Sequence, residues 1–268
     1  MKTRRNPAFW NLIRADDGKS AELRISGDIV SDDSAWFYRW FGDPCATPGS
    51  VRAQLADLDG VPLTVWIDSY GGDVVAASAI YTALMEYPGD ITGKVDGAAY
   101  SAASVIAMAC KTLLMSPTAT MMIHAPWTET WGNATELRHT AGILDEISEG
   151  LIGAYEIKTG KSRAEIMALL EAETWMGARK AVEMGFADGV LYAAESDAGQ
   201  EAIVAQARVV YARLRSQAQP AADEAGRTRE GAKGGNGYSD GFAAGIAEQA
   251  EDWTEDAEMA LAIESGRT

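Results

Sequence analysis

The stretch PLTVWIDSYGGDVVAASAIYTALMEY, residues 62–87, decides the fold of this chain. It opens with a nearly continuous apolar run, which is typical of a strand buried in a parallel sheet. Gly71 and Gly72 break the run, and the apolar residues that follow, 73–87, favour a helix. A buried strand, a glycine turn and an apolar helix together predict a βα unit of an α/β domain.

The same alternation of elements continues on both sides of this stretch. Strands are predicted at 21–30, 91–97 and 120–126, with a shorter strand in KTLLMSP, and the small-residue helix 101–110 lies between them. Strands that alternate with helices imply right-handed crossovers and a parallel sheet. We therefore predict an α/β fold whose strands are mostly parallel.

Three further elements are predicted after the parallel strands. A long helix covers residues 133–158, and a second helix begins at Ser162, where Glu165 completes a capping box. Residues 174–191 favour a helix that turns at Gly185 into an edge strand. The long helix carries an apolar stripe made of Ala134, Leu137, Ala141, Leu144, Ile147, Leu151 and Ala154.

Changes in composition divide the chain into four parts. Residues 1–20 form a basic N-terminal arm, and residues 21–192 contain the predicted α/β domain. Residues 193–219 are rich in Ala, Gln and Arg and favour a helical extension. Residues 220–268 combine a Gly-rich linker with an acidic tail, with eleven acidic and four basic residues and a net charge of −7.

The overall composition excludes several classes of protein. With 23 basic and 39 acidic residues the net charge is −16, which disfavours a general nucleic-acid binder. Two cysteines and two histidines argue against a disulfide framework and a His-rich metal site, so no metal or cofactor is expected. No segment approaches the roughly 20 apolar residues that span a bilayer. Acidic residues interrupt the basic N-terminus before any signal-peptide core develops, so a cytoplasmic protein is expected.

Two backbone features can carry chemistry. The Gly71-Gly72 turn follows a buried strand, where glycine lets a substrate backbone approach and free N–H groups can hold an oxyanion. The alternative is a plain turn between strand and helix. Ser101 lies at the start of a helix among small residues, where the helix dipole favours developing negative charge on a nucleophile. The alternative is an N-cap serine, and Ser104, one turn further on, is predicted to be a packing residue.

Histidine supplies the third feature. His124 ends a predicted strand, MMIHAP, and α/β enzymes usually place their sites at the carboxyl ends of parallel strands. A general base at that position would complement the serine, whereas the alternative is a hydrogen-bonded structural histidine. His139 lies among polar residues on the long helix and is predicted to be solvated.

Along the chain, a glycine turn is followed by a serine at a helix start and then by a histidine at a strand end. This order resembles that of the ClpP family, the proteolytic subunits of Clp proteases. IDSYGGDVVAASAIYTAL resembles the glycine segment of that family, GAAYS its nucleophile motif and IHAP its base motif. WGNATELRHTAGIL and YEIKTGKSRAEI resemble its handle helix, and ETWMGARKAVEMGFAD resembles the segment with the third triad member. The resemblance covers about residues 21–192. It implies a ClpP/crotonase-like spiral of ββα units with a projecting handle helix.

The resemblance also implies roles for single residues. Ser101 would attack the scissile carbonyl, and His124 would take its proton and deliver it to the leaving amine. The N–H groups of Gly71 and Ala102 would form the oxyanion hole, and Gly72 would lie against the substrate.

The third member of the triad departs from the pattern of the family. Glu173 stands where the family has aspartate, two residues before the aromatic Trp175, and Glu171 is the fallback. The alternative for Glu173 is a solvated charge at a helix end. After the histidine, the family's glycine-rich substrate-binding strand is replaced by PWTETWGN, so Trp127 would either contact substrate or cover an edge of the sheet.

Within the family, the chain resembles the divergent proteases of phages and prophages more than the housekeeping peptidase. The acidic glycine segment, ETWM and the charged C-terminal extension suggest this. Such relatives act as head maturation proteases that cleave scaffold or capsid protein inside a procapsid. The family also implies a homo-oligomeric ring, commonly seven-membered, in the bacterial host cytoplasm or a phage procapsid, with no nucleic acid or membrane as partner.

Two other functions remain open. A conventional Clp peptidase would work with an ATP-dependent unfoldase, and any ATP requirement would belong to that partner. A non-catalytic scaffold on the same fold would explain the glutamate in place of aspartate. Crotonases share the architecture, but they bind acyl-CoA and usually lack the Ser/His pair.

Overall fold

A computed structural model describes residues 12–15, 17–192, 204 and 207–213 of the chain. The expectations for most of the N-terminal arm, for much of the helical extension and for the acidic tail therefore lie outside the described residues. Val204 and residues 207–213 are helical. All described residues belong to one compact unit, which ends at Leu214.

The described strands and helices alternate along most of the chain. The strands are β1 (Ile13–Arg14), β2 (Ala21–Ile29), β3 (Cys45–Ala46), β4 (Leu63–Gly72), β5 (Ile91–Tyr100), β6 (Thr112–Met115), β7 (Thr120–Ile123), β8 (Thr174–Gly177) and β9 (Gly189–Val190). The helices are α1 (Ala35–Phe41), α2 (Pro48–Ala56), α3 (Val74–Met85), α4 (Ala102–Met108), α5 (Ala134–Thr159), α6 (Arg163–Glu171) and α7 (Ala178–Glu183).

The described strands form one sheet with the order β1-β2-β4-β5-β6-β9. Strand β5 divides this sheet, because its residues 92–95 pair with β6 whereas its residues 98–100 pair with β7. Strand β8 then pairs with β7 in the antiparallel direction, and β1 with β2; the other described pairs are parallel. The predicted α/β architecture with a mostly parallel sheet is confirmed.

The main core lies between the sheet and helices α2, α3 and α4. Alternate residues of β4, such as Val65 and Ile67, are fully buried, and α4 is buried along its whole length. Asp73 caps α3 by accepting the N–H groups of Val75 and Ala76. The small residues of α4 allow this helix to pack directly beneath the carboxyl ends of β4 and β5.

The prediction for residues 174–191 was wrong at its start. Thr174–Gly177 form strand β8, and the helix α7 begins only at Ala178. The pairing of β8 with β7 buries all four of its residues, and such pairing overrides the local helical spacing. The edge strand expected after Gly185 is confirmed as β9, which pairs with β6.

Helix α5 matches its predicted bounds within one residue at each end. Asn133 and Glu136 form a capping box at its start, and Gly160 ends it at φ +68°. The buried side chains of α5 are Leu151, Ile152, Ala154 and Tyr155, all in its last third. Leu137 is 42% exposed and the nearby Ile143 is 46% exposed, so the N-terminal part of the predicted stripe does not join the core.

Candidate active site

Parallel pairing of β5 with β7 brings Ser101 and His124 together. Tyr100 on β5 pairs with Met122 on β7, and the Ser101 N–H donates to the Met122 carbonyl at 2.8 Å. Ser101 follows the last residue of β5, and His124 follows the last residue of β7. The distance from His124 Nε2 to Ser101 Oγ is 2.8 Å, which is a hydrogen bond.

The backbone of Ser101 is strained. It has φ 53° and ψ −126°, values that a residue with a side chain rarely adopts, and it lies between β5 and α4. Serine nucleophiles at sharp turns from strand to helix use such strain to expose Oγ. Among the described residues, the Ser101 side chain makes no capping bond to α4, so the N-cap alternative is wrong for the side chain.

The glycine turn packs against Ser101. Gly71 has φ +100°, and a Cβ at this position would lie 2.7 Å from the Tyr100 carbonyl oxygen and 2.8 Å from Ser101 Cβ. Only glycine allows this approach of β4 to the serine. The Gly71 N–H donates to Ser69 Oγ at 3.1 Å, and that hydroxyl donates to the Gly27 carbonyl at 2.6 Å.

Gly72 packs closely against strand β2 rather than against Ser101. It has φ +142°, and its Cβ would lie 2.2 Å from the Ile29 carbonyl oxygen. The absence of a side chain at Gly72 is therefore required by the packing of β4 against β2. This requirement exists independently of any contact with substrate.

Glu173 lies at the turn that leads into β8. Ile123 pairs with Thr174 in the antiparallel ladder, so Glu173 and His124 are the next residues beyond that pair. Glu173 has φ 48°, and its Oε1 accepts a 3.1 Å hydrogen bond from Trp175 Nε1. The fallback residue Glu171 is exposed at the end of α6.

Ser104 is buried one turn into α4. Its hydroxyl donates to the Ser101 carbonyl at 2.5 Å and lies 2.7 Å from the Tyr155 hydroxyl of α5. Burial raises the pKa of Tyr155, which keeps its hydroxyl protonated. The prediction that Ser104 is a packing residue is confirmed, and so is the prediction that His139 is exposed on α5.

An aromatic cluster that the sequence does not predict borders the site. Tyr100 and Trp175 are buried with ring centroids 5.0 Å apart, and Tyr70 stacks on Tyr100 at 5.4 Å. The Tyr100 hydroxyl is hydrogen-bonded to Thr120 Oγ1, and burial raises the pKa of Tyr100. The sequence signals only that Tyr100 adds bulk before the serine, because the cluster depends on the pairing of β7 with β8.

The residues after His124 form an irregular loop. Residues 124–133 contain neither helix nor strand, and Trp127 and Trp131 are both exposed in it. The described residues contain no group of three or more His, Cys, Asp or Glu side chains that could hold a metal ion. In the same part of the chain, no helix is both long and apolar enough to cross a membrane.

Comparison with known proteins identifies the family. The family model described as Clp protease matches residues 50–194, which is more than half of the chain. The chain belongs to the Clp protease family.

Curated Clp relatives are similar over the same region. The chain is 30% identical over 151 residues to an ATP-dependent Clp protease proteolytic subunit of Bacteroides fragilis, covering 54% of this chain and 73% of that protein. It is 33% identical over 138 residues to the ATP-dependent Clp protease proteolytic subunit 1 of Chlamydia muridarum. That match covers 50% of this chain and 71% of that protein. The solved structure of a ClpP1 mutant from Listeria monocytogenes has a similar fold, with a TM-score of 0.54 and 20% sequence identity. The match covers 65% of this chain and 92% of the ClpP1 chain.

Proposed function

We propose that this Clp family chain is a serine endopeptidase with Ser101 as nucleophile and His124 as general base. The observation that carries the proposal is the 2.8 Å hydrogen bond from Ser101 Oγ to His124 Nε2 at a strained turn between strand and helix. A hydroxyl is a weak nucleophile until an adjacent base removes its proton. The pair meets the distance that this activation requires.

In the proposed reaction, Ser101 Oγ bonds to the scissile carbonyl carbon while its proton passes to His124 Nε2. The tetrahedral intermediate collapses when the C–N bond breaks and His124 gives that proton to the leaving amine. Water then donates a proton to His124 and adds to the acyl ester. Cleavage of the ester returns the proton to Ser101 Oγ and releases the new carboxyl terminus.

Glu173 is proposed to orient His124 and to stabilise the imidazolium that forms. Its place beside His124 in the β7–β8 ladder supports this role. Because Trp175 Nε1 holds one carboxylate oxygen, the longer glutamate side chain has a fixed anchor. The strained backbone at Glu173 also fits a site where geometry is imposed by surrounding structure.

The oxyanion hole is proposed to use the N–H groups of Ala102 and Gly71. Ala102 opens α4, where helix N–H groups and the helix dipole favour negative charge. The Gly71 N–H donates to Ser69 Oγ in this structure, so it must turn to or be shared with the oxyanion. A charged oxygen is a stronger acceptor than a hydroxyl, which favours that exchange.

The substrate is proposed to be a polypeptide that lies along Gly72 and reaches Trp127 in the irregular loop. Within this activity, we propose the finer function of a phage or prophage head maturation protease that cuts scaffold or capsid protein. The acidic residues 220–268 support it as an interaction segment. The names of the relatives, ATP-dependent Clp protease proteolytic subunits, favour a second candidate, a peptidase that receives substrate from an ATP-dependent unfoldase.

The test of the proposed activity is cleavage of a disordered protein such as β-casein, followed by gel and mass spectrometry. The purified chain is expected to cut casein, and Ser101→Ala to leave it intact. Ser104→Ala is the matched control, because it removes a neighbouring hydroxyl whose hydrogen bonds join the Ser101 carbonyl and Tyr155. Casein left intact by an oligomeric wild-type sample would favour the non-catalytic scaffold.

A second assay separates the two finer functions. If scaffold and capsid genes lie beside the gene of this chain, their purified products are incubated with the chain without nucleotide. Cleavage at defined sites without an unfoldase supports head maturation. Cleavage that requires ATP and an unfoldase encoded in the same genome supports the conventional Clp peptidase.

A further inference from the structure

A helical segment outside the family match packs beside the candidate site. It consists of Val204 and residues 207–213, whereas the Clp protease match ends at residue 194. Val204, Ala207 and Tyr211 lie at helical spacing, and all three pack on the same buried cluster. The segment therefore adds a layer to the peptidase domain that the family pattern does not account for.

The segment covers the face of β5, β7 and β8 that points away from the main core. Alternate residues of a strand point to opposite faces, and those facing the segment are Ala98, Tyr100, Met122 and Trp175. Tyr100 and Trp175 are buried with the segment in place. The intervening residues face the main core and include Ala99, Met121, Ile123 and Met176.

Tyr211 brings the segment to the catalytic pair. Its ring centroid lies 5.7 Å from that of Tyr100, 5.6 Å from that of Trp175 and 6.4 Å from that of His124. The Tyr211 ring is nearly perpendicular to both Tyr100 and His124, which is a favoured aromatic arrangement. Tyr211 thus lies between the aromatic cluster and the proposed general base.

The described part of the segment packs on the domain through one side only. Val204, Ala207 and Tyr211 lie on that side, and the guanidinium of Arg208 lies over the Trp175 ring at 5.9 Å. On the outer side, Val209 and Val210 are exposed. A short surface helix that packs through one side opens at lower cost than core strands.

We propose that the segment formed by Val204 and residues 207–213 is an autoinhibitory cover, with Tyr211 as the side chain that closes the space beside His124. This inference rests on the proposed function of Ser101 and His124. A polypeptide substrate reaches the pair when the segment leaves the aromatic face. If the cover is closed for nine-tenths of the time, its removal raises access to the site about tenfold.

The test measures access and reactivity separately in the full chain. Diethyl pyrocarbonate modifies exposed imidazoles, and peptide mass gives the rate at His124 relative to His139. His139, the other histidine of the chain, is exposed on α5, and it serves as the standard between samples of equal oligomeric state, because its surroundings are then the same in every variant. A fluorophosphonate probe gives the labelling rate of Ser101. Tyr211→Ala is expected to raise both rates about tenfold, whereas Tyr211→Phe keeps the ring and both rates.

Two further variants keep the test independent of Tyr211 itself. Ala207→Glu introduces a charge at the inner face, so it is expected to detach the segment and raise both rates as well. Val209→Ser changes the exposed face and is expected to leave both rates unchanged. Because both positions lie in the segment, their comparison controls for general damage to it.

Each other outcome has a defined meaning. A fall in Ser101 labelling in Tyr211→Ala, with unchanged His124 modification, would mean that Tyr211 positions the histidine, and the cover would be rejected. Unchanged rates in both Tyr211→Ala and Ala207→Glu would also reject it. If no variant labels at Ser101 but the His124 rate rises, the cover stands and the peptidase function fails.

Discussion

The carboxyl ends of β4, β5 and β7 differ sharply from the N-terminal half of α5. At the strand ends, Gly71, Gly72 and Ser101 all have positive φ, and neighbouring strands hold them in place. On α5, by contrast, Leu137 and Ile143 are apolar yet exposed. Strain persists at the strand ends because surrounding packing imposes it, whereas the exposed half of α5 lacks such support within the described chain.

This difference separates two kinds of functional surface. The geometry of the candidate site is specified by contacts within one chain, so it should exist before any partner binds. We expect the exposed apolar residues Leu137 and Ile143 of α5 to contact a second copy of the chain in a ring. Reactivity of the site and assembly of the ring should therefore respond to different substitutions.

Among substitutions that test the two regions, Glu173→Gln in the candidate site is expected to have the largest effect, which is on the rate of cleavage. The amide cannot stabilise the imidazolium or favour the required tautomer, so cleavage is expected to fall about 10²- to 10⁴-fold. The rate of casein cleavage under substrate-limited conditions measures it. Glu171→Gln, two residues away, is expected to retain activity, and the reverse pattern would make Glu171 the third member of the triad.

Substitutions on α5 test the other region. Leu137→Asp and Ile143→Asp are expected to raise the dissociation constant of the oligomer about tenfold or more each, because charge is introduced into an apolar contact. Sedimentation velocity over a concentration series gives this constant. Met167→Asp on α6 is the matched control, because Met167 is 40% exposed, similar to Leu137 at 42%. Equal effects at all three positions would refute α5 as the contact surface.

A smaller effect is expected where the C-terminal third of α5 packs on α4. Tyr155→Phe removes the hydroxyl that lies against Ser104 and leaves a buried polar group without this partner. Because the Ser104 hydroxyl still donates to the Ser101 carbonyl, the free energy of unfolding is expected to fall by only about 0.5–1.5 kcal/mol. Urea denaturation followed by circular dichroism measures the change. A loss below a few tenths of a kcal/mol would mean that this bond contributes little to holding α5 on α4.

The smallest effect concerns the cap of α6. The side-chain hydrogen bond from Ser162 lowers the pKa of Glu165 below its usual value. Ionised Glu165 therefore stabilises the fold above its unfolded-state pKa, and this contribution is lost as pH falls through the lower folded-state pKa. Glu165→Gln should be slightly destabilised near pH 7 and match wild type near pH 2 in denaturant titrations. A difference that grows toward low pH would contradict this sign.

Local signals predict the parts of the fold that depend on neighbouring residues in sequence. The start of α6 follows from the capping box at Ser162, the end of α5 from Gly160, and the turn of β4 from Gly71. These features depend on contacts within a few residues, so the sequence contains them directly. The same holds for the placement of Ser101 at a helix start and of His124 at a strand end.

Long-range contacts account for what the sequence does not predict. Strand β8 exists because Trp175 and its neighbours pair with β7, and no local periodicity marks that pairing. Tyr211 contacts a histidine 87 positions earlier, across a region whose composition indicates only a helix. The exposure of Leu137 likewise depends on where α5 leaves the body of the domain.

Fluorophosphonate labelling tests the central claim most directly. The account predicts one adduct, located on Ser101 by peptide mass, that is lost in Ser101→Ala and in His124→Ala but kept in Ser104→Ala. Light scattering on the same sample establishes that it is assembled. An assembled wild-type sample without an adduct, or an adduct on Ser101 that forms equally fast in His124→Ala, would contradict the proposed catalytic pair.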